Sequence, residues 1–265
     1  MALAATGAAC GTNAESSRSD SAAGVEATGE RTRESPAAAT ANGGFAPGGS
    51  VNGDSAGARS GTPKAVGGSR TQRVVFLGTS LTAGLGLDPD VAYPALLQRK
   101  ADSAGYAVRI VNAGLSGETS AGALRRAGWV LDQPAALVVL EVGANDGLRG
   151  VDPDSTYANI VALVRVVRTQ RPDAGIALVQ MEAPTNLGGG YTTRFHQAYV
   201  RAAKTTGVTL LPFLLEGVAG EARLNQADGI HPNPEGSQRV ADTMWRGLVP
   251  LLDMASVPAG ASAPR

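Results

Sequence analysis

The sequence predicts an α/β fold in which a parallel β-sheet is sandwiched between helices. Two observations carry this. Five short runs of β-branched and leucine-type residues recur along the chain, and segments of helical length separate them. The runs are near-continuously apolar, as expected of strands buried on both faces. A third observation, a sharp change in texture near residue 68, confines the pattern to the remainder of the chain.

The elements follow in order. A first run over 74–77 breaks into Gly78-Thr79-Ser80-Leu81, and a helical segment occupies 93–104. A second run at 108–111 leads to a helix over 120–131, and a third at 136–140 to a helix over 154–170. A fourth run at 176–180 precedes a helix over 194–205. A fifth at 208–211 is followed by a last helix from about Pro234 to Leu252. Strand–helix alternation of this kind favours right-handed crossovers between parallel strands.

Composition sets limits on function. The chain has 265 residues, with 23 Lys+Arg against 23 Asp+Glu, which argues against nucleic acid or an anionic membrane as the dominant partner. The single cysteine, Cys10, excludes an internal disulfide and leaves residues 11 onward without a thiolate nucleophile or a cysteine cluster for zinc. No apolar stretch is long enough to span a bilayer. Residues 11–68 are Gly, Ala, Ser, Thr and Pro with few large apolar side chains, too few to offset the entropy of ordering them. Residues 1–68 are therefore expected to be a disordered N-terminal segment, 69–255 the folded domain and 256–265 a disordered tail.

In an open parallel sheet, ligands bind at the carboxyl ends of the strands. The loops after the runs hold Thr79 and Ser80, then Ser116, Gly117 and Glu118, then Asn145 and Asp146, then Glu182 and Asn186, and finally Asp228 and His231. Each has an ordinary reading: Ser80 as a helix cap, Asn145 as turn chemistry, Asp228 and His231 as a surface pair. A phosphate cradle in the first loop is disfavoured, because Gly84-Leu85-Gly86 does not continue as G-x-G-x-x-G and no Gly-Lys-Ser/Thr follows. Jointly the residues point elsewhere. A serine hydroxyl needs a base, and a developing oxyanion needs donors. The chain has two histidines. His231 has an aspartate three residues before it, placed to orient an imidazolium. His196 lies in a helical pattern without a nearby acid in sequence and reads as a helix-surface residue.

Gly78-Thr79-Ser80-Leu81-Thr82-Ala83-Gly84, Gly117, Gly143-Ala144-Asn145-Asp146 and Asp228-Gly229-Ile230-His231 resemble, in order, the four motif blocks of the SGNH (GDSL-type) hydrolases. Residues 142–150 and 210–213 resemble the thioesterase I, lysophospholipase and arylesterase group within them. The resemblance spans roughly 72–252. It implies a three-layer α/β/α fold with a five-stranded, flavodoxin-like parallel sheet and no metal or organic cofactor. It makes Ser80 the nucleophile, His231 the base and then acid, and Asp228 its orienter, with the Ser80 amide, Gly117 and Asn145 in the oxyanion hole. Thr79 stands where the family motif has aspartate, a position outside the triad.

The function so implied is a serine ester hydrolase acting on small-molecule acyl esters or thioesters. The alternatives are a carbohydrate O-acetyl esterase or a non-catalytic binding module on the same fold. A monomer is expected, and no nucleic-acid partner. Residues 1–11 resemble the end of a bacterial lipoprotein signal running into Cys10, with Gly7 departing from the usual leucine. That implies a periplasmic or extracellular enzyme, lipid-anchored through Cys10 if the signal is complete upstream.

Overall fold

The structure is a computed structural model that describes residues 71–256. The expected linker at 1–68 with its Cys10, and the expected tail apart from Ser256, lie outside the described residues. The chain runs β1 (Gln72–Gly78), α1 (Ser80–Ala83), α2 (Tyr93–Ser103), β2 (Val108–Gly114), α3 (Ser120–Val130), β3 (Leu137–Leu140), α4 (Ala144–Leu148), α5 (Pro153–Gln170), β4 (Gly175–Gln180), α6 (Gly189–Thr206), β5 (Thr209–Phe213) and α7 (Pro234–Ser256).

The five strands form one sheet in the order β2-β1-β3-β4-β5, every pair parallel. This is the flavodoxin-like order implied by the family resemblance. Helices α2 and α7 pack together on one face, and α3, α5 and α6 form a row on the other. Between the two helical layers lies the core. Val74 to Leu77 of β1, all of β3, and Ala177 to Val179 of β4 are buried. β-branched and leucine side chains fill both faces of these strands, as the runs predict.

The edges depart from that expectation. β2 and β5 each have only partial burial, because an edge strand has a neighbour on one side and its helical cover thins there. Pro212 sits in β5, where an edge position tolerates the missing donor. Helix α6 begins at Gly189, five residues before the expected start, and takes in two glycines of the Gly188-Gly189-Gly190 triplet. Its first turn is held by a tertiary contact, the Tyr191 hydroxyl donating to the Val151 carbonyl at 2.7 Å, and by stacking of Tyr191 on Phe195 one turn along the same helix. These contacts offset the low helix propensity of glycine.

Strand order reverses around β1, whose neighbours are β2 and β3. A crevice opens at their carboxyl ends. The short helices α1 and α4, too brief to leave a periodic signal in the sequence, start at that edge directly after β1 and β3.

Candidate active site

β1 ends at Gly78, and Ser80 opens α1 with its side chain largely buried. As the first residue of a helix, Ser80 has an N–H that no carbonyl of that helix can accept. From the far end of the sheet, the segment before α7 brings His231 to it: His231 Nε2 lies 2.8 Å from Ser80 Oγ. His231 Nδ1 lies 2.6 Å from Asp228 Oδ2.

Asp228 Oδ1 also accepts from the backbone N–H of Ile230 and of His231, at 2.9 and 3.0 Å. These bonds, led by the His231 amide, hold the Asp228 carboxyl down to about 2, although the side chain is 43% exposed. An ionised carboxylate only accepts. The proton between Asp228 and His231 therefore sits on Nδ1, and the lone pair of Nε2 faces the Ser80 hydroxyl. That assignment follows from the hydrogen-bond pattern. The pair is held locally as well as aimed: Gly229 adopts a φ of +70° in the turn between them. Gln226 donates to the Leu85 and Pro232 carbonyls at 2.7 and 3.0 Å, which ties the His231 segment to the loop after α1. Gln226 carries no motif signal in the sequence.

Gly117 lies in the loop after β2 with a φ of +77°, a left-handed conformation that a side chain would strain. A Cβ there would meet nothing closer than Arg149 Nη2 at 3.9 Å, so backbone conformation, not space, calls for glycine. Arg149 donates to the Gly117 carbonyl at 3.0 Å, and Asn145 Nδ2 donates to the Glu118 carbonyl at 3.0 Å. Glu118 in turn receives Arg126 Nε at 2.7 and 2.8 Å on its two oxygens. Arg149, Arg126 and Glu118 thus brace the loop that carries Gly117. Sequence reasoning placed Glu118 in this loop but gave none of the three a role, because their partners are backbone carbonyls and distant side chains.

Two buried carboxylates support this edge. Asp146, adjacent to Asn145, accepts from the N–H and hydroxyl of Ser120 and from Thr156. Glu141, at the end of β3, accepts from Thr79 and Thr82 beneath Ser80. His196 lies half-exposed on α6, as a helix-surface residue would, and the structure adds an acid that is distant in sequence. His196 Nδ1 is 2.7 Å from Glu182 Oε1, a partner that follows β4 and meets α6 only through helix-on-sheet packing. Among the described residues no cluster of three or more His, Cys, Asp or Glu side chains is arranged to hold a metal ion.

The chemistry available to this arrangement is deprotonation of a serine hydroxyl by a histidine oriented by a carboxylate. Residues 76–239, more than half of the chain, match the GDSL-like Lipase/Acylhydrolase family. The chain is 40% identical over 182 residues to esterase TesA of Pseudomonas aeruginosa, covering 68% of this chain and 90% of that protein. It is 36% identical over 181 residues to thioesterase 1/protease 1/lysophospholipase L1 of Escherichia coli, covering 68% and 85%. The fold matches the psychrotrophic esterase EstA from Pseudoalteromonas sp., in a structure inhibited by monoethylphosphonate, with a TM-score of 0.65 and 33% identity over 69% of this chain and 99% of that one. The chain belongs to the GDSL-like lipase/acylhydrolase family and is a serine ester hydrolase of small-molecule esters.

Proposed function

We propose that the enzyme hydrolyses short acyl esters and thioesters through an acyl-enzyme on Ser80. The observation that carries this is the continuous hydrogen-bonded chain from Asp228 through His231 to Ser80 Oγ. Ser80 Oγ attacks the acyl carbon as its proton passes to His231 Nε2, and Asp228 stabilises the imidazolium. The oxyanion accepts from the amides of Ser80 and Gly117 and from Asn145 Nδ2. Collapse breaks the bond to the leaving alcohol or thiol, which takes the proton from His231. Water then gives a proton to His231 and attacks the acyl-enzyme. A second collapse returns the proton to Ser80 Oγ and releases the acid.

The cleft beside Ser80 and His231 supports acyl over sugar esters. Its walls are aliphatic, with Leu81, Leu85, Leu87, Leu214, Leu215 and Val240 among them. It is small, about 270 Å³ including the part open to solvent. The enclosed cavity itself is only about 10 Å³, far below the usual range of about 300–1,000 Å³ for pockets that enclose drug-sized ligands. Longer acyl chains must run over the surface, where Leu115, Leu148, Leu187 and Ile230 are exposed on the segments that follow the strands. The names of the relatives, an esterase and a thioesterase/lysophospholipase, are consistent with this substrate class.

The test is a hydrolysis profile over p-nitrophenyl esters of rising chain length, run on wild type, Ser80→Ala and His231→Ala. Short chains should be preferred. Each substitution should remove nearly all turnover, and the double variant should lose little more, because the groups act as a unit. Wild-type activity in Ser80→Ala would sink the assignment, and a preference for acetylated sugars over acyl esters would favour the carbohydrate reading. We further propose a monomer outside the cytoplasm, periplasmic or extracellular. Expression from an upstream start with fractionation and intact mass tests a lipid on Cys10, and a soluble product with unmodified Cys10 in its native host removes the anchor.

A further inference from the structure

Beneath the nucleophile lies a buried carboxylate that the acyl-transfer steps do not use. Glu141 follows β3 and is fully buried. Its Oε2 accepts from the Thr79 N–H at 2.8 Å, from the Thr79 hydroxyl at 3.0 Å and from the Thr82 hydroxyl at 2.7 Å, and Oε1 accepts from the Thr79 hydroxyl at 3.0 Å. Thr79 and Thr82 flank Ser80 in sequence, so both ends of the Ser80 turn rest on one side chain. The backbone below has been cleared for it: a Cβ on Gly78 would lie 2.0 Å from Thr82 Oγ1 and 2.7 Å from Glu141 Oε2.

We propose that Glu141 is a positioning residue for Ser80, its ionised carboxylate holding the Thr79 amide and the Thr79 and Thr82 hydroxyls so that Ser80 Oγ meets His231 Nε2. This rests on the reading of Ser80 as nucleophile. The direction of the hydrogen bonds supplies the reason the charge matters. With Glu141 ionised, every partner donates, and Thr82, having spent its proton on Glu141, accepts from the Tyr93 hydroxyl at 2.7 Å. A protonated Glu141 must instead donate once. The O–H then points at a hydroxyl, that hydroxyl has to turn, and at least one tie on the turn is lost or reversed.

The surroundings leave this charge uncompensated. Tyr93 of α2 and Tyr199 of α6 are the titratable groups around Glu141, and burial, the leading cause, pushes both well above the usual phenol range, so they remain neutral. On the side of α3, Arg126 reaches the Gly78 carbonyl, but its guanidinium is engaged by Glu118. Burial raises Glu141 to about 7, against the hydrogen bonds from Thr79 and Thr82, which lower it. The carboxylate therefore changes charge near neutrality. Protonation of Glu141 loosens the turn, so its titration should show in the pH dependence of the reaction.

The test is the pH dependence of kcat/KM and kcat for wild type, Glu141→Gln and Thr82→Val, with active-site labelling by a phosphonate ester. In the wild type the titration of Glu141 should appear as an inflection on the acid side of the profile near pH 7. In Glu141→Gln that inflection should vanish, with kcat at high pH lower by roughly 10- to 100-fold and KM within about twofold, as a misplaced nucleophile predicts. Thr82→Val keeps the carboxylate but removes a bond to its charged form, so its acid limb should move to higher pH. That variant keeps the test decisive should Glu141→Gln fail to fold. Wild-type kcat and an unchanged acid limb in Glu141→Gln, even with a lowered melting temperature, would overturn the proposal, as would an unshifted limb in Thr82→Val. The label separates the two levels. Modification of a residue other than Ser80 removes the nucleophile reading itself, whereas a Glu141→Gln enzyme labelled on Ser80 at the wild-type rate removes only the role of Glu141.

Discussion

Asp146 accepts two hydrogen bonds from Ser120, one from the backbone N–H at 2.8 Å and one from the hydroxyl at 2.5 Å. A single buried carboxylate thereby joins the start of α4, which carries Asn145, to the start of α3, which follows the loop of Gly117. Thr156 of α5 adds a third bond at 3.2 Å.

This separates the roles of two neighbours. Asn145→Ala should lower kcat by roughly 10² to 10³, about 2.7–4 kcal/mol, since its amide would stabilise charge present only in the transition state. Asp146→Asn should cost about 1–3 kcal/mol of stability, because an amide nitrogen facing a donor leaves a buried partner unsatisfied. Its kcat should stay within roughly tenfold of wild type, about 1.4 kcal/mol. Steady-state kinetics and chemical denaturation on the same samples check both. The reverse ranking in kcat would remove Asn145 from the oxyanion hole.

The Asp228 carboxyl is lowered from 3.8 to about 2 by the His231 amide, the His231 ring and the Ile230 amide. A depressed acid contributes stability that is present above its unfolded value and lost as pH falls through its folded value. Asp228 is therefore ionised throughout the working range and should add no limb to the pH–rate profile above about pH 4. Asp228→Asn should reduce kcat strongly at every pH, because a neutral amide can donate to Nδ1 and favour the wrong tautomer. Recovery of Asp228→Asn activity at high pH would contradict this.

Glu141 titrates in the opposite sense. Its folded value of about 7 lies above the ordinary 4.5. A raised acid gives stability that is complete below the unfolded value and lost as pH rises through the folded one. Between about pH 4.5 and 7 the wild type should lose on the order of 3 kcal/mol relative to Glu141→Gln. The denaturant midpoint of the wild type should fall across that window relative to that of Glu141→Gln, whatever the fixed cost of the substitution. Parallel curves from pH 4 to 8 would show that Glu141 does not titrate there.

Thr79 occupies the family's aspartate position, and its hydroxyl lies 3.0 Å from each Glu141 oxygen. Thr79→Asp would set two carboxylates against each other, and one must hold a proton. Activity at or below pH 7 should remain within roughly tenfold, or about 1.4 kcal/mol. Stability should then fall more steeply than in the wild type as pH rises past neutrality. Circular dichroism melts paired with initial rates across pH 6 to 9 measure this. Complete loss of activity in a folded Thr79→Asp protein would place position 79 in contact with substrate.

The central strands, the helices of ten or more residues and the order of the motif blocks were legible in the sequence because they are local. A run such as Leu137-Val138-Val139-Leu140 is best satisfied inside a sheet covered on both faces, and the Asp228-Gly229-Ile230-His231 turn is held by the Asp228 carboxylate accepting from its own neighbouring amides. Tertiary structure decided what depended on distant partners. The early start of α6 rests on Tyr191 reaching Val151, the Glu182 partner of His196 comes from another element, and the burial that perturbs Glu141 exists only once α1 and α2 cover the end of β3. A carboxylate's charge depends on desolvation and on the donors around it, and neither is set until the chain has closed over it.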